Sequence, residues 1–166
     1  MDNAFYLGFT IGISPIVGFQ YGAGDKQKLR NIYHTSFSFV AVSSVFMAVI
    51  AIVLSPTIVT IFTDDPATYE LAAVGFRLFA INFLFSGISI TSSGFFTALS
   101  NGTISAVISF CRTLGFIVLS LLILPKFLGI TGAWIAIPVA EFCTLLVTGV
   151  MHFVYFWKPG IRNYLR

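Results

Sequence analysis

Long runs of apolar residues, separated by short polar breaks, make up most of the chain. Residues 46–54 and 116–124 are apolar at nearly every position, unlike the alternating polar and apolar residues of a membrane β-barrel strand. A helix needs about 20 mainly apolar residues to cross a membrane, and most of the runs reach that length. The pattern therefore predicts five membrane-spanning helices, over Ala4–Tyr21, Tyr33–Phe62, Leu71–Leu99, Ile104–Leu124 and Ala133–Trp157.

Each break carries residues that end or begin helices. Two glycines and an aspartate follow the first run at residues 22–25, and Asp65-Pro66 before the third run suits a helix N-terminus. Residues 100–102, Ser-Asn-Gly, predict a tight turn. Pro125 is expected to close the fourth helix, and residues 129–132 to open the fifth.

Composition explains why these runs belong in lipid. Hydrophobic residues make up 57% of the 166 residues, charged residues only 9%, and the mean hydropathy is +0.96, whereas a soluble domain carries about 25% charged residues. The fold class is therefore predicted as all-α and polytopic, with membrane lipid as the surrounding medium. The net charge of +3 is too small to indicate nucleic acid. Cys111 and Cys143 lie inside apolar runs, which favours core packing over a disulfide or a metal site.

Loop charges predict the orientation. Basic residues follow the first and fifth helices, at Lys26, Lys28, Arg30, Lys158, Arg162 and Arg166. The opposite side carries four acidic residues and one base, at Asp2, Asp64, Asp65, Glu70 and Lys126. The positive-inside rule then puts the C-terminus on the cytoplasmic side of the plasma (inner) membrane and the start of the chain outside. Since almost nothing precedes the first helix, we expect a C-terminal piece of a longer protein; the alternative is a short protein that begins at Met1.

Three ionisable residues lie well inside the apolar runs, namely Arg77, Arg112 and Glu141. A charge at the bilayer centre costs about 2.5–3.5 kcal/mol on insertion scales, so such groups pair or face water. The helix rise places all three in the outer half of the membrane. We predict an ion pair between Glu141 and an arginine, with Arg112 favoured because its helix is adjacent in sequence. The pair is either a fixed structural element or a protonatable, substrate-facing group in a cavity.

Polar and helix-bending residues distinguish two further helices. The third helix carries Asn82 and five hydroxyl-bearing residues between positions 86 and 93, which serve helix packing or line a cavity. In the first helix Pro15 removes a backbone hydrogen bond, and Gly18 and Gly22 lie beyond it. This helix is therefore either statically kinked or a conformational hinge.

The order of these residues resembles the MATE (multidrug and toxic compound extrusion) family of efflux transporters. Residues 12–25, which include Pro15 and Gln20 and lead into basic residues, resemble the family's eighth helix and following loop. Residues 96–102 resemble the turn between helices ten and eleven, and Arg112 matches an arginine early in helix eleven. The segment into helix twelve is similar at Pro125, Gly129, Gly132, Trp134, Pro138, Ala140 and Glu141.

The resemblance implies a portion corresponding to helices eight to twelve of a twelve-helix transporter, in which two six-helix lobes face a central cavity. Such transporters export small organic, mostly cationic compounds in exchange for sodium ions or protons, and need no other cofactor. The N-terminal lobe would be the partner that completes the cavity. Candidate cavity or coupling residues are then Glu141, Arg112, Arg77, Asn82 and Gln20. Some members hold a cation on acidic residues of helices seven and ten. Leu71–Leu99, the counterpart of helix ten, contains no acidic residue, so the resemblance does not extend to that site.

Other functions remain open on the sequence. A lipid-linked saccharide flippase shares the fold of the wider superfamily. A small helical membrane subunit or assembly protein would be expressed alone and bound to a partner. A membrane enzyme would need convergent groups such as paired aspartates or a serine with a histidine, and their scarcity argues against it. The sequence therefore predicts a transporter with no catalytic residue and no metal ligand.

Overall fold

The computed structural model describes residues 2–63 and 65–157. Within these ranges the chain is almost entirely helical and contains no strand, which confirms the all-α fold class. Four of the charged residues that predict the orientation lie outside the described residues, namely Asp64, Lys158, Arg162 and Arg166. The elements are α1 (Asp2–Gly22), α2 (Lys26–Phe62), α3 (Pro66–Ala80), α4 (Asn82–Ala98), α5 (Gly102–Phe110), a π-helix (Cys111–Phe116) and α6 (Ile117–Trp157).

Helix α2 begins at Lys26 rather than at Tyr33, so the basic residues lie in its first turns and not in a loop. Asp25 caps this helix: the backbone N–H of Lys28 donates to Asp25 Oδ1 at 3.0 Å, and Lys28 Nζ lies 3.1 Å from Oδ2. The backbone hydrogen bond is the main reason that the pKa of the Asp25 carboxyl lies below its usual value. Because of this cap, the helix begins before the apolar run begins, which the hydrophobic pattern alone could not show.

The third helix, predicted over Leu71–Leu99, begins earlier than predicted, at Pro66. It is interrupted at Ile81, which separates α3 from α4. Its start is set by Asp65, whose Oδ2 accepts hydrogen bonds from the Thr68 N–H at 2.9 Å and the Thr68 hydroxyl at 2.6 Å. Helix α4 ends in the predicted turn, where Ser100 has a φ of 58° and the Asn101 N–H donates to the carbonyl oxygen of Phe96 at 2.9 Å. This is a common way to satisfy the last carbonyl groups of a helix.

The chain reverses direction at Gly129, inside the range of α6. Gly129 has φ 58° and ψ −138°, a conformation that glycine reaches without steric cost. The prediction that Pro125 closes the fourth helix is wrong, since the helix continues through it. In a straight helix, Arg112 and Glu141 would lie about 44 Å apart, yet their side chains are 2.8 Å apart. The first arm of α6 (residues 117–128) and its second arm (residues 130–157) therefore run antiparallel.

Three helical segments in the described ranges are long and apolar enough to cross a membrane: Lys26–Phe62, Thr68–Ala98 and Gly102–Tyr155. The last has 54 residues and would measure about 80 Å if straight, against a hydrocarbon core of about 30 Å. Because it folds back at Gly129, it accommodates two crossings. Helix α1 is not among the three, so its crossing stays a prediction.

Helix α4 lies at the centre of the bundle, where it contacts α1, α2, α3, α5 and α6. Two glycines allow α1 to approach: a Cβ atom at Gly87 would overlap the Tyr6 ring, and one at Gly94 would overlap Thr10. Small residues of this kind are typical of helix interfaces in membranes. Of the six polar residues predicted on this helix, five are buried, namely Asn82, Ser86, Ser89, Thr91 and Ser92, which agrees with the packing interpretation.

Helix α1 remains helical through Pro15. The Ser14 hydroxyl, one residue before it, donates to the carbonyl oxygen of Thr10 at 2.7 Å. Gly22 is the last residue of the helix, and the left-handed residue that follows is Gly24, with φ 71°. A Cβ atom at Gly18 would make only ordinary contact with the backbone of Ala98. The hinge role assigned to Pro15, Gly18 and Gly22 stays a prediction.

Candidate functional site: a buried ion pair

A buried ion pair joins the π-helix to the second arm of α6. Arg112 Nε donates to Glu141 Oε1 at 2.8 Å, and the Glu141 and Arg112 side chains are only 3% and 19% exposed. Arg112 also donates from Nη2 to Asn3 Oδ1 at 3.3 Å, which connects the pair to the first turn of α1. The structure thus contains the predicted pair with the favoured arginine. Arg77 is exposed on α3 and is not the partner of Glu141.

The pair lies nearer the middle of the helices than predicted. Glu141 is twelve residues beyond the reversal at Gly129, about 18 Å along a helix, and Arg112 is ten residues beyond Gly102, about 15 Å. Both distances are close to half of the roughly 30 Å hydrocarbon core, whereas the sequence placed the charges in the outer half. The difference arises because the helix that carries Arg112 continues beyond Leu124 to the reversal at Gly129, and because the second arm of α6 begins before Ala133.

Arg112 lies within the π-helix, which the sequence did not predict. A π-helix adds one residue to a helical turn, so it rotates the side chains that follow it relative to those that precede it. Such segments occur frequently at functional sites. The hydrophobic pattern carries no signal for this rotation, because residues 111–116 read like the rest of the run.

The other two candidate cavity residues lie at different heights. Asn82 is the first residue of α4 and is buried. It lies one turn before Phe85, whose ring is 5.6 Å from that of Phe142, the neighbour of Glu141. Asn82 itself lies eight residues, about 12 Å along the helix, before Ile90, which lines the same groove as Arg112. Its Oδ1 has no hydrogen-bond partner among the described residues. Gln20 lies seventeen residues beyond Asn3 on α1, about 25 Å away, so the five candidates do not form one site.

A groove between α1, α4 and α5 leads to Arg112, and sequence reasoning missed it. Its volume is about 250 Å³. Hydroxyl groups of Ser93 and Thr97 on α4 face those of Ser105 and Ser109 on α5. Both pairs have the i, i+4 spacing that places side chains on one helical face. That spacing was the available signal, but only the folded arrangement shows that the two faces meet.

The ion pair is chemically distinctive because Glu141 is the one carboxylate, of those whose side chains are described, that is buried in the bundle. With Arg112 bonded, the site carries no net charge. If Arg112 moves away, Glu141 can neutralise a proton or another cation in its place. Arg112 has a second acceptor on Asn3, so its guanidinium is held from two sides. The cavity and coupling roles of Glu141 and Arg112 stay predictions.

Replacing Glu141 by Gln removes the negative charge and leaves Arg112 buried without compensation. We expect the complete protein that contains this chain to lose about 3–5 kcal/mol of stability, as is usual when one partner of a buried pair is removed. Denaturant unfolding in detergent would measure the loss. The matched control is Glu70→Gln, since Glu70 is exposed on α3. Equal stability of the two variants would contradict the account.

Comparison with known proteins relates these features to a family. The family profile described as MatE matches residues 3–122. The chain is 27% identical over 143 residues to Multidrug and toxin extrusion protein 1 of Homo sapiens and of Pongo abelii, covering 83% of this chain and 24% of each relative. The chain thus spans about a quarter of the length of these curated relatives, and no solved structure matches it significantly. Because the profile covers well over half of the chain, the chain belongs to the MatE family.

Proposed function

We propose that this chain forms helices eight to twelve of an efflux antiporter that exports small organic, cationic compounds in exchange for sodium ions or protons. Family membership and relatives named for multidrug and toxin extrusion support export of this kind. In this proposal the chain works against an N-terminal lobe of the same transporter, and the two lobes enclose the substrate cavity. In this proposal the chain crosses the plasma membrane several times.

The observation that carries the proposal is the Arg112–Glu141 pair. A buried ion pair is weak evidence for stability, because well-packed apolar residues often serve as well or better. In a chain with only 9% charged residues, a carboxylate near mid-membrane is therefore better explained by function than by packing. In an antiporter, such a group alternates between its arginine and a transported cation or proton.

The alternatives have less support. No contact among the described residues indicates a saccharide site that would favour a lipid-linked saccharide flippase. The relatives' names refer to extrusion, not to a helper subunit. Export of small organic cations is therefore the proposed function, with the chain as part of a transporter rather than of an enzyme.

We further propose that the end of the bundle at which α2 begins faces the cytoplasm. Lys26, Lys28 and Arg30 lie there, while Asp65 and Glu70 lie near the opposite end of α2, as the positive-inside rule requires. In a background with Cys111 and Cys143 replaced by Ser, a membrane-impermeant maleimide should label Lys126→Cys in intact cells. It should label Lys26→Cys only after permeabilisation; the reverse pattern would contradict this orientation.

Transport can be tested with the complete protein in a bacterial strain that lacks its own efflux pumps. We expect cells that express it to accumulate less ethidium than cells with an empty vector. Glu141→Gln should abolish most of this difference, whereas Glu70→Gln should keep it, with rates normalised to folded protein in the membrane. Collapsing the sodium gradient or the proton gradient separately identifies the coupling ion.

Two outcomes would count against the proposal. Unchanged accumulation across a broad panel of organic cations would exclude multidrug export. Full export by Glu141→Gln, with unchanged pH dependence, would leave the ion pair a purely structural element.

A further inference from the structure

The groove between α1, α4 and α5 is unusual in this chain because six of its ten lining residues carry polar side chains. Its volume of about 250 Å³ has room for several water molecules. Apolar groups nevertheless make up most of the lining surface. Arg112 lies at one end. The lining residues are Leu7, Thr10, Ile11, Ser14, Ile90, Ser93, Gly94, Thr97, Ser109 and Arg112.

A continuous series of hydroxyl groups follows the wall that α4 and α5 share. Thr97 Oγ1 donates to Ser105 Oγ at 2.7 Å, and Ser105 Oγ lies 2.9 Å from Ser93 Oγ. Ser93 Oγ in turn lies 2.8 Å from Ser109 Oγ. Ser109 is one helical turn before Arg112, so the series ends beside the guanidinium. Its other end, at Thr97, is exposed and lies next to the turn between α4 and α5.

A second, independent observation comes from the opposite wall. Thr10 of α1 lines the groove and is only 5% exposed, yet its Oγ1 has no hydrogen-bond partner among the described residues. A buried hydroxyl without a partner costs free energy unless a bound molecule satisfies it. Ser89 and Thr91, outside the groove, share this lack of a partner, but of the three only Thr10 lines this groove, in which a hydrogen-bonding molecule would satisfy the hydroxyl.

The charges in the groove decide what that occupant is. Glu141 lies 2.8 Å from Arg112 and neutralises its charge. This end of the groove therefore attracts neither anions nor cations strongly. Hydroxyl groups both donate and accept hydrogen bonds, which suits a small neutral molecule that does the same. Water meets these requirements, and it bridges buried polar groups with about three hydrogen bonds each.

We propose that this groove is an aqueous half-channel, which connects the Arg112–Glu141 pair with the end of the bundle at which α4 meets α5. It hydrates the arginine side of the pair and gives water-soluble species a route to the middle of the membrane. This role is independent of which substrate the transporter carries, because it concerns solvent access alone.

Cysteine reactivity tests the half-channel, because the thiolate that attacks a thiosulfonate reagent forms in water and not in lipid. The complete transporter, with Cys111 and Cys143 replaced by Ser, would carry single cysteines at Ser14 or Ser109. The matched control is Phe110→Cys, since Phe110 is adjacent in sequence and 62% exposed but does not line the groove. Thr103→Cys, in the first turn of α5, identifies the side of the membrane at which the groove opens.

We expect a membrane-impermeant thiosulfonate to modify Ser14→Cys and Ser109→Cys at least about tenfold faster than Phe110→Cys, because only the groove thiols ionise. The reaction should occur from the side that labels Thr103→Cys. If both groove cysteines react as slowly as Phe110→Cys from either side, while Thr103→Cys reacts, the half-channel is excluded. Labelling in denaturing detergent confirms that every thiol is present, and the readout does not require transport.

Discussion

The ion pair between Arg112 and Glu141 is the interaction on which the rest of the bundle depends. Neither charge can lie alone in the apolar interior without a large cost. The 2.8 Å contact therefore requires the chain to fold back at Gly129, so that the two arms of α6 run side by side. The hydrogen bond from Arg112 to Asn3 adds the first turn of α1 to the same unit. One contact thus constrains three segments that are distant in sequence.

Single hydrogen bonds from hydroxyl groups connect further pairs of helices. Tyr6 and Ser44 join α1 to α2 at 3.0 Å, and the Ser55 hydroxyl donates to the carbonyl oxygen of Ala73 at 3.3 Å, which joins α2 to α3. In lipid a polar side chain finds a partner inside the protein or faces a hydrated cavity. On α4 the Ser92 hydroxyl takes the first course and donates to the carbonyl oxygen of Ile88 at 2.6 Å, and the groove beside Ser93 takes the second.

Much of the fold followed from the sequence, because apolar run length and turn residues act locally. Asp65 followed by Pro66 predicted the start of α3, and residues 100–102 predicted the turn after α4. The pairing of Arg112 with Glu141 was predictable because two buried charges have few alternatives. The helix end predicted at Pro125 was wrong, since proline lacks only its own N–H, whereas the reversal needs the positive φ that glycine adopts at Gly129.

The π-helix at Cys111–Phe116 has no comparable signal, and the facing rows of hydroxyl groups on α4 and α5 have only their i, i+4 spacing. A π-helix changes the rotation of a helix without changing its hydrophobicity, and the rows become a groove only when α4 and α5 meet. The depth of the pair was misplaced for a related reason, since capping groups and turn glycines extend helices beyond their apolar runs. Asp25 shows the same effect at the start of α2. The function is harder still to predict from this sequence, because the chain spans only 24% of the length of its relatives.

The most direct measurement of the central claim is the unfolding temperature of a charge swap, Arg112→Glu combined with Glu141→Arg, in the complete protein. If the two side chains pair directly in the interior, the swapped variant regains most of the stability that each single variant loses, because opposite charges again lie together. If the swapped variant is no more stable than the worse of the two single variants, the pair does not hold these segments together and the account fails.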